Sequence, residues 1–126
     1  MVAPSARSVV LVSFPFSDLS QTKLRPAVVL ADAGRDDWIL CQITSKSYGD
    51  AHALALGDDD FVIGSLRAPS HVRPSKLFTA NDSLIAAQIG ELKVDSFRHI
   101  VETTISILRS GLADQQAQPE KPNTSS

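Results

Sequence analysis

A chain of 126 residues, 43% hydrophobic and 21% charged, is sized for one domain that buries a core without metal or disulfide staples. Its formal net charge of −2 excludes a global basic bias, so any attraction for nucleic acid has to come from a local site. The single cysteine, Cys41, excludes an internal disulfide; set between Leu40 and Gln42, it reads as a buried, inert thiol in a reducing compartment. The N-terminal MVAPSARS lacks the apolar core of a signal peptide, and no segment approaches membrane-spanning length, so a cytoplasmic location is the expectation.

Val9 to Phe14 and Ala27 to Leu30 are β-branched and aromatic runs bounded by turn residues, and they predict two strands joined by a wide hairpin. The polar connection holds Pro15, Ser17, Asp18, Ser20, Gln21, Thr22 and Lys23 and ends on Arg25-Pro26. A hairpin needs only about two to five linking residues, so a loop of this length implies a role beyond connection. Pro26 biases Arg25 toward an extended backbone, which sets a permanent cationic fork where the loop re-enters the sheet.

ADAGRDD predicts a hairpin turn with Gly34 near its tip. Trp38 to Thr44 is nearly continuous in its apolar character and predicts a strand buried on both faces. His52 to Leu56 is a short strand, followed by Gly57 and the turn Asp58-Asp59-Asp60, read as solvated. Ser70 to Arg73 and Lys76 to Thr79 read as two extended pieces divided by Pro74, and Leu84 to Ile89 as a last strand ending at Gly90. From Val94 the period becomes helical: Val94, Phe97, Val101, Ile105 and Leu108 share one face, with a stop at Arg109 before Gly111. Roughly six strands and one helix make a mainly β, α+β domain over residues 1–112, either a small barrel or a twisted sheet with the helix packed on it. Residues 113–126 are polar with Pro119 and Pro122 and read as a disordered tail.

LVSFPFSDLSQTKLRPAVVL, then ILCQITSK, SHVRPSKLFT and QIGEL, in that order over residues 8–109, resemble the PemK/MazF family of type II toxins. The resemblance implies an SH3-like or plasmid-toxin barrel and a homodimer. It further implies cofactor-free, metal-independent cleavage of single-stranded RNA to 2′,3′-cyclic phosphate and 5′-hydroxyl ends. A cognate antitoxin would then occupy the RNA groove with a disordered segment.

Arg25 matches the family's catalytic arginine and Thr44 its threonine at the end of the central strand, with Ser45 beside it. Read by themselves, an arginine before a proline is an ordinary solvated charge, and Thr44 caps a turn. Arg73 matches a second family arginine; where some members carry a carboxylate two residues later, this chain has Ser75. A further departure is Arg7-Ser8, where members usually open the first strand with Gly-Asp. Alternation puts His71 on the face of Arg73, which makes it a candidate base, set against the plainer reading of a partly exposed bystander. Ser17, Lys23, Lys46 and Lys76 are candidate RNA contacts. No histidine pair has zinc-ligand spacing, and the three aspartates lack a calcium-loop pattern.

The chemistry asks for donors aimed at a phosphorane. Arginine, a poor base, supplies charge stabilisation there, and a threonine hydroxyl orients the phosphate. The competing reading is an interaction toxin on the same barrel, of the CcdB gyrase-poison type, or an inactive RNA-binding relative. An aromatic content of only 6%, which offers few stacking platforms for bases, leans toward that alternative.

Overall fold

The computed structural model describes residues 4–15, 22–46 and 49–117. Among them the strands are β1 (Ser8–Pro15), β2 (Thr22–Gly34), β3 (Asp37–Thr44), β4 (Leu54–Leu56), β5 (Phe61–Gly64), β6 (Ser70–Asn81) and β7 (Ile85–Leu92), followed by helix α1 (Val94–Ala117). The strands pair antiparallel in one curled half-barrel sheet, ordered β4-β6-β3-β2-β1-β7-β5. β4 and β5 stand at its two edges. This is the mainly β fold with a C-terminal helix that the sequence predicts, with seven strands in place of about six.

The central strands are apolar on both faces because both faces are covered. Val9, Val28, Cys41, Ile43 and Val72 pack with Ile100 and Phe97 of α1 on one side. Val10, Val12, Ala27, Val29, Leu40 and Ala80 pack with Trp38, Phe78 and Ile85 on the other. The expectation of double burial for β3 therefore holds.

The β2–β3 hairpin turns on Arg35 and Asp36, whose φ angles of 56° and 64° are those of a two-residue I′ turn. Asp32 Oδ1 accepts the Gly34 N–H at 2.7 Å and fixes the approach. The tip is thus Arg35-Asp36, one residue beyond Gly34.

Four differences from the sequence reading have physical causes. Arg25 and Pro26 belong to β2, opposite Val12 and Leu11, so the polar connection is shorter than the composition suggests. Pro74 does not divide two strands. β6 runs through it as a bulge, since Cys41 pairs with Leu77 and the next residue, Gln42, with Arg73. Residues 74–76 are looped out there, where a residue without N–H costs the ladder nothing. The buried face of α1 centres on Ile100 and Thr104, whose hydroxyl donates to the Ile100 carbonyl at 2.9 Å; Ile105 and Leu108 are exposed. The helix also passes Gly111 and reaches Ala117, so residues 113–117 of the expected tail are helical. No helix among the described residues is long and apolar enough to cross a membrane.

The acidic turn is more than solvated surface. Asp60 Oδ2 accepts the Gly57 N–H and Oδ1 accepts the Ser96 hydroxyl, each at 2.8 Å, while the Asp60 carbonyl accepts the Lys93 N–H. The carboxylate therefore ties the turn to the N-terminus of α1, where the helix dipole favours negative charge.

At the start of β1, Arg7 has φ 80°, a conformation suited to glycine. Its N–H donates to the Val29 carbonyl and its own carbonyl accepts the Leu92 N–H. Its guanidinium donates to the Leu92 carbonyl at 3.2 Å and pairs with Glu91 at 2.9 Å. These ties hold a non-glycine residue where the resembled family usually has glycine.

Candidate functional site

The site is built from one end of the sheet face that carries Val12, Ala27 and Leu40. Cross-strand partners share a face, and side chains two residues apart along a strand do as well. Arg25 is partnered with Val12 and is two residues from Ala27, so it lies on that face. Gln42 is partnered with Ala27 and Thr44 is two residues further along β3. Arg73 lies across from Gln42, and His71 across from Thr44. The β2–β3 pairing stops at Ala27 and Gln42, beside Pro26, which has no N–H to give. Carried on by two residues, that register brings Arg25 level with Thr44. Two guanidiniums, a hydroxyl, an imidazole and a carboxamide thus share one polar end of an otherwise apolar face.

Thr44 makes the turn contact that its plainer reading expects. Its Oγ1 accepts the Lys46 N–H at 3.1 Å, closing the turn after β3. The hydroxyl proton is still available to donate outward. His71 is half-buried, and its Nδ1 is buried without a hydrogen-bond partner among the described residues. A buried ring nitrogen of this kind calls for a partner such as a ligand or water.

Arg73 is held more firmly. Its Nε donates to Asp50 Oδ2 at 2.8 Å, with the Asp50 side chain only 7% exposed and that of Arg73 21%. Asp50 Oδ1 accepts the His52 N–H at 2.9 Å in an Asx turn. The hydrogen bond from Arg73, and after it the one from His52, pulls the Asp50 carboxyl below the usual carboxylate range. Sequence reasoning missed Asp50 because 23 residues separate it from Arg73; the one local signal is the Asp-x-His turn pattern.

The remaining candidates distribute around this end. Lys23 is exposed in β2, two residues from Arg25 and so on the same face. Ser45 and Lys46 are exposed just beyond β3. Ser75 and Lys76 are exposed in the β6 bulge, off the ladder. Ser17 lies outside the described residues. A cleft of about 530 Å³ sits elsewhere, along β7 between Val10, Ile63 and Ile85, and contains none of these cations. Among the described residues no three His, Cys, Asp or Glu side chains converge to hold a metal ion.

No curated protein matches the chain. Solved structures do match in fold. A chain of the Deinococcus radiodurans MazE–MazF crystal structure shares 22% identity and a TM-score of 0.71, over 86% of this chain and 98% of that one. The Mycobacterium tuberculosis toxin MazF-mt6 shares 19% identity and a TM-score of 0.64, over 82% and 97%. A mycobacterial endoribonuclease in complex with its cognate antitoxin shares 14% and 0.67, over 85% and 96%. Residues 6–108 match the family model of the PemK-like, MazF-like toxins of type II toxin–antitoxin systems. The chain belongs to that family of toxins.

Proposed function

We propose that this protein is a metal-independent endoribonuclease that cuts single-stranded RNA to 2′,3′-cyclic phosphate and 5′-hydroxyl ends. The observation that carries the reading is the convergence of Arg25, Thr44, His71 and Arg73 on one face from three strands. Attack by the ribose 2′-oxygen on the adjacent phosphorus raises the negative charge on the phosphoryl oxygens. Fixed guanidinium and hydroxyl donors stabilise that charge more than the ground state. Arg25 takes the main electrostatic role and Thr44 orients the phosphate. Arg73 gives a second bidentate fork. Ser75 replaces the carboxylate that some family members carry, and His71, across from Thr44 on the same face, is the residue to accept the 2′-hydroxyl proton. Lys23, Lys46, Lys76 and Ser17 would steer the strand toward this end.

The partners follow from the family and its neighbours. A cognate antitoxin covers the site as an RNA mimic, and a second copy of the chain extends the groove. The mass in solution, measured by light scattering over a range of concentrations, reads the homodimer.

End-labelled single-stranded RNA incubated with the purified protein in excess EDTA tests the activity. Cleavage with cyclic-phosphate ends is the expected result. Loss of cleavage in EDTA with recovery on adding magnesium would overturn the mechanism, and no cleavage under any condition would return the protein to the interaction toxins.

A further inference from the structure

We infer that Asp50 is a positioning residue for the cleavage reaction, acting through Arg73; the inference rests on the endoribonuclease reading above. The argument begins with a conflict. A carboxylate in an RNA-binding site repels phosphate, yet Asp50 faces one of the site's cations and is nearly withdrawn from solvent. Its cost in attraction has to be offset by something that attraction alone does not provide.

The geometry supplies it. Arg73 is the last residue paired with β3 before the looped-out residues 74–76, so the ladder is interrupted on one side of it. A long guanidinium stem there samples many rotamers. Asp50 takes the Nε–H and leaves the two terminal nitrogens of Arg73 without a partner among the described residues. Those nitrogens are the ones that can fork onto a phosphate. Asp50 is itself fixed, because its other oxygen holds the His52 N–H. The chain of contacts therefore runs from the His52 backbone through Asp50 to the Arg73 fork, which shares a face with Thr44 and Arg25. A donor set in place before the charge develops lowers the barrier; one that must be collected from solvent does not.

Two consequences have opposite signs. Asp50→Asn keeps the Asx turn, since asparagine forms it equally well, but removes the negative charge and loosens Arg73. RNA binding, measured on a non-cleavable 2′-deoxy oligonucleotide, should tighten several-fold because one repelling charge is gone. The turnover rate on cleavable RNA should fall by about 10- to 100-fold, the scale of a displaced catalytic group. In an Arg73→Ala background the same Asp50→Asn change should leave the rate within about two-fold, because the partner it positions is absent. In the nitrogen-15 spectrum of the free protein, the Arg73 Nε–H should exchange slowly in the wild type and rapidly in Asp50→Ala.

Unchanged turnover in Asp50→Asn, losses that add in the double variant, or a rapidly exchanging Arg73 Nε–H in the wild type would each overturn the inference. A wild-type protein that cuts no RNA would instead sink the endoribonuclease reading, and the catalytic half of this inference with it. The Nε–H measurement reads the Asp50–Arg73 pair without any RNA and so separates the two failures.

Discussion

Thr44, the last residue of β3, lies directly across from His71 of β6, so a hydroxyl and an imidazole meet on one rung of the sheet. Cross-strand partners stand about 4.5–5.5 Å apart at Cβ, close enough for both to reach one phosphate and its neighbouring ribose. Thr44→Ser should keep most of the RNA-cleaving activity, and Thr44→Val, matched in shape, should lose it. His71→Ala should lower the rate by about 10²- to 10⁴-fold if the imidazole takes the proton. A His71→Ala rate within a few-fold of wild type reduces His71 to a bystander. Initial rates on one labelled oligonucleotide decide both points.

Arg25→Ala is expected to lower the cleavage rate by about 10²- to 10³-fold, the usual loss for one preorganised charge donor. Because Arg25 is a half-buried strand residue and not a loop charge, its removal should also cost about 1 kcal/mol of stability. Lys23→Ala, on the same face but exposed, is the control for general loss of charge. Equal small losses in the two variants would leave Arg25 as an RNA-attracting group only.

Gly64 of β5 is paired with Gly90 of β7, and the two backbones meet without side chains between them. A Cβ at Gly64 would run into the Ile89 carbonyl oxygen, and the φ of 78° is strained for any other residue. A Cβ at Gly90 would come within 2.8 Å of the Phe61 ring. Gly64→Ala should therefore destabilise by at least about 1–3 kcal/mol, from backbone strain before the clash is counted. Urea titration of Gly64→Ala against wild type reads this, and an equal midpoint would contradict the close approach.

Burial pushes the Cys41 thiol from 9.0 up to about 12, with a backbone hydrogen bond at Val28 acting weakly the other way. The folded protein holds this proton more tightly than the unfolded chain. Its contribution to stability is complete below about pH 9 and is lost as pH rises toward 12. A thiol reagent should react slowly with the native protein near neutrality and stoichiometrically once it is unfolded. Asp50 has the opposite sign, since its carboxyl is lowered. The stability it adds is present above the ordinary carboxylate range and is lost as the solution is acidified through its lowered pKa. Asp50→Asn should flatten the acid limb of the stability curve and leave the alkaline limb in place.

Much of the fold was legible because it is local chemistry. The apolar runs of β1 and β3 show where strands lie and that both their faces are covered, and Asp32-Ala-Gly-Arg-Asp shows a tight hairpin. Arg25, Thr44 and Arg73 could be named through the resemblance of their motifs to the toxin family, and His71 through its alternation with Arg73. What alternation could not decide is whether the Arg73–His71 pair shares the face of Arg25 and Thr44. In an unbroken β6, Val72 would point the same way as Phe78, and Arg73 and His71 the other way. Three looped-out residues, an odd number, reverse that parity, so Arg73 and His71 stand on the face of Phe78, Leu40 and Thr44. That bulge exists because β3 and β6 must both satisfy their hydrogen bonds around Pro74, a constraint between strands that no window of sequence contains. The burial of α1 through Ile100 and Thr104 was likewise decided by how the helix lies on the sheet. Asp50 belongs to the same class: its meaning comes from a residue 23 positions away, and only the folded chain brings the two to 2.8 Å.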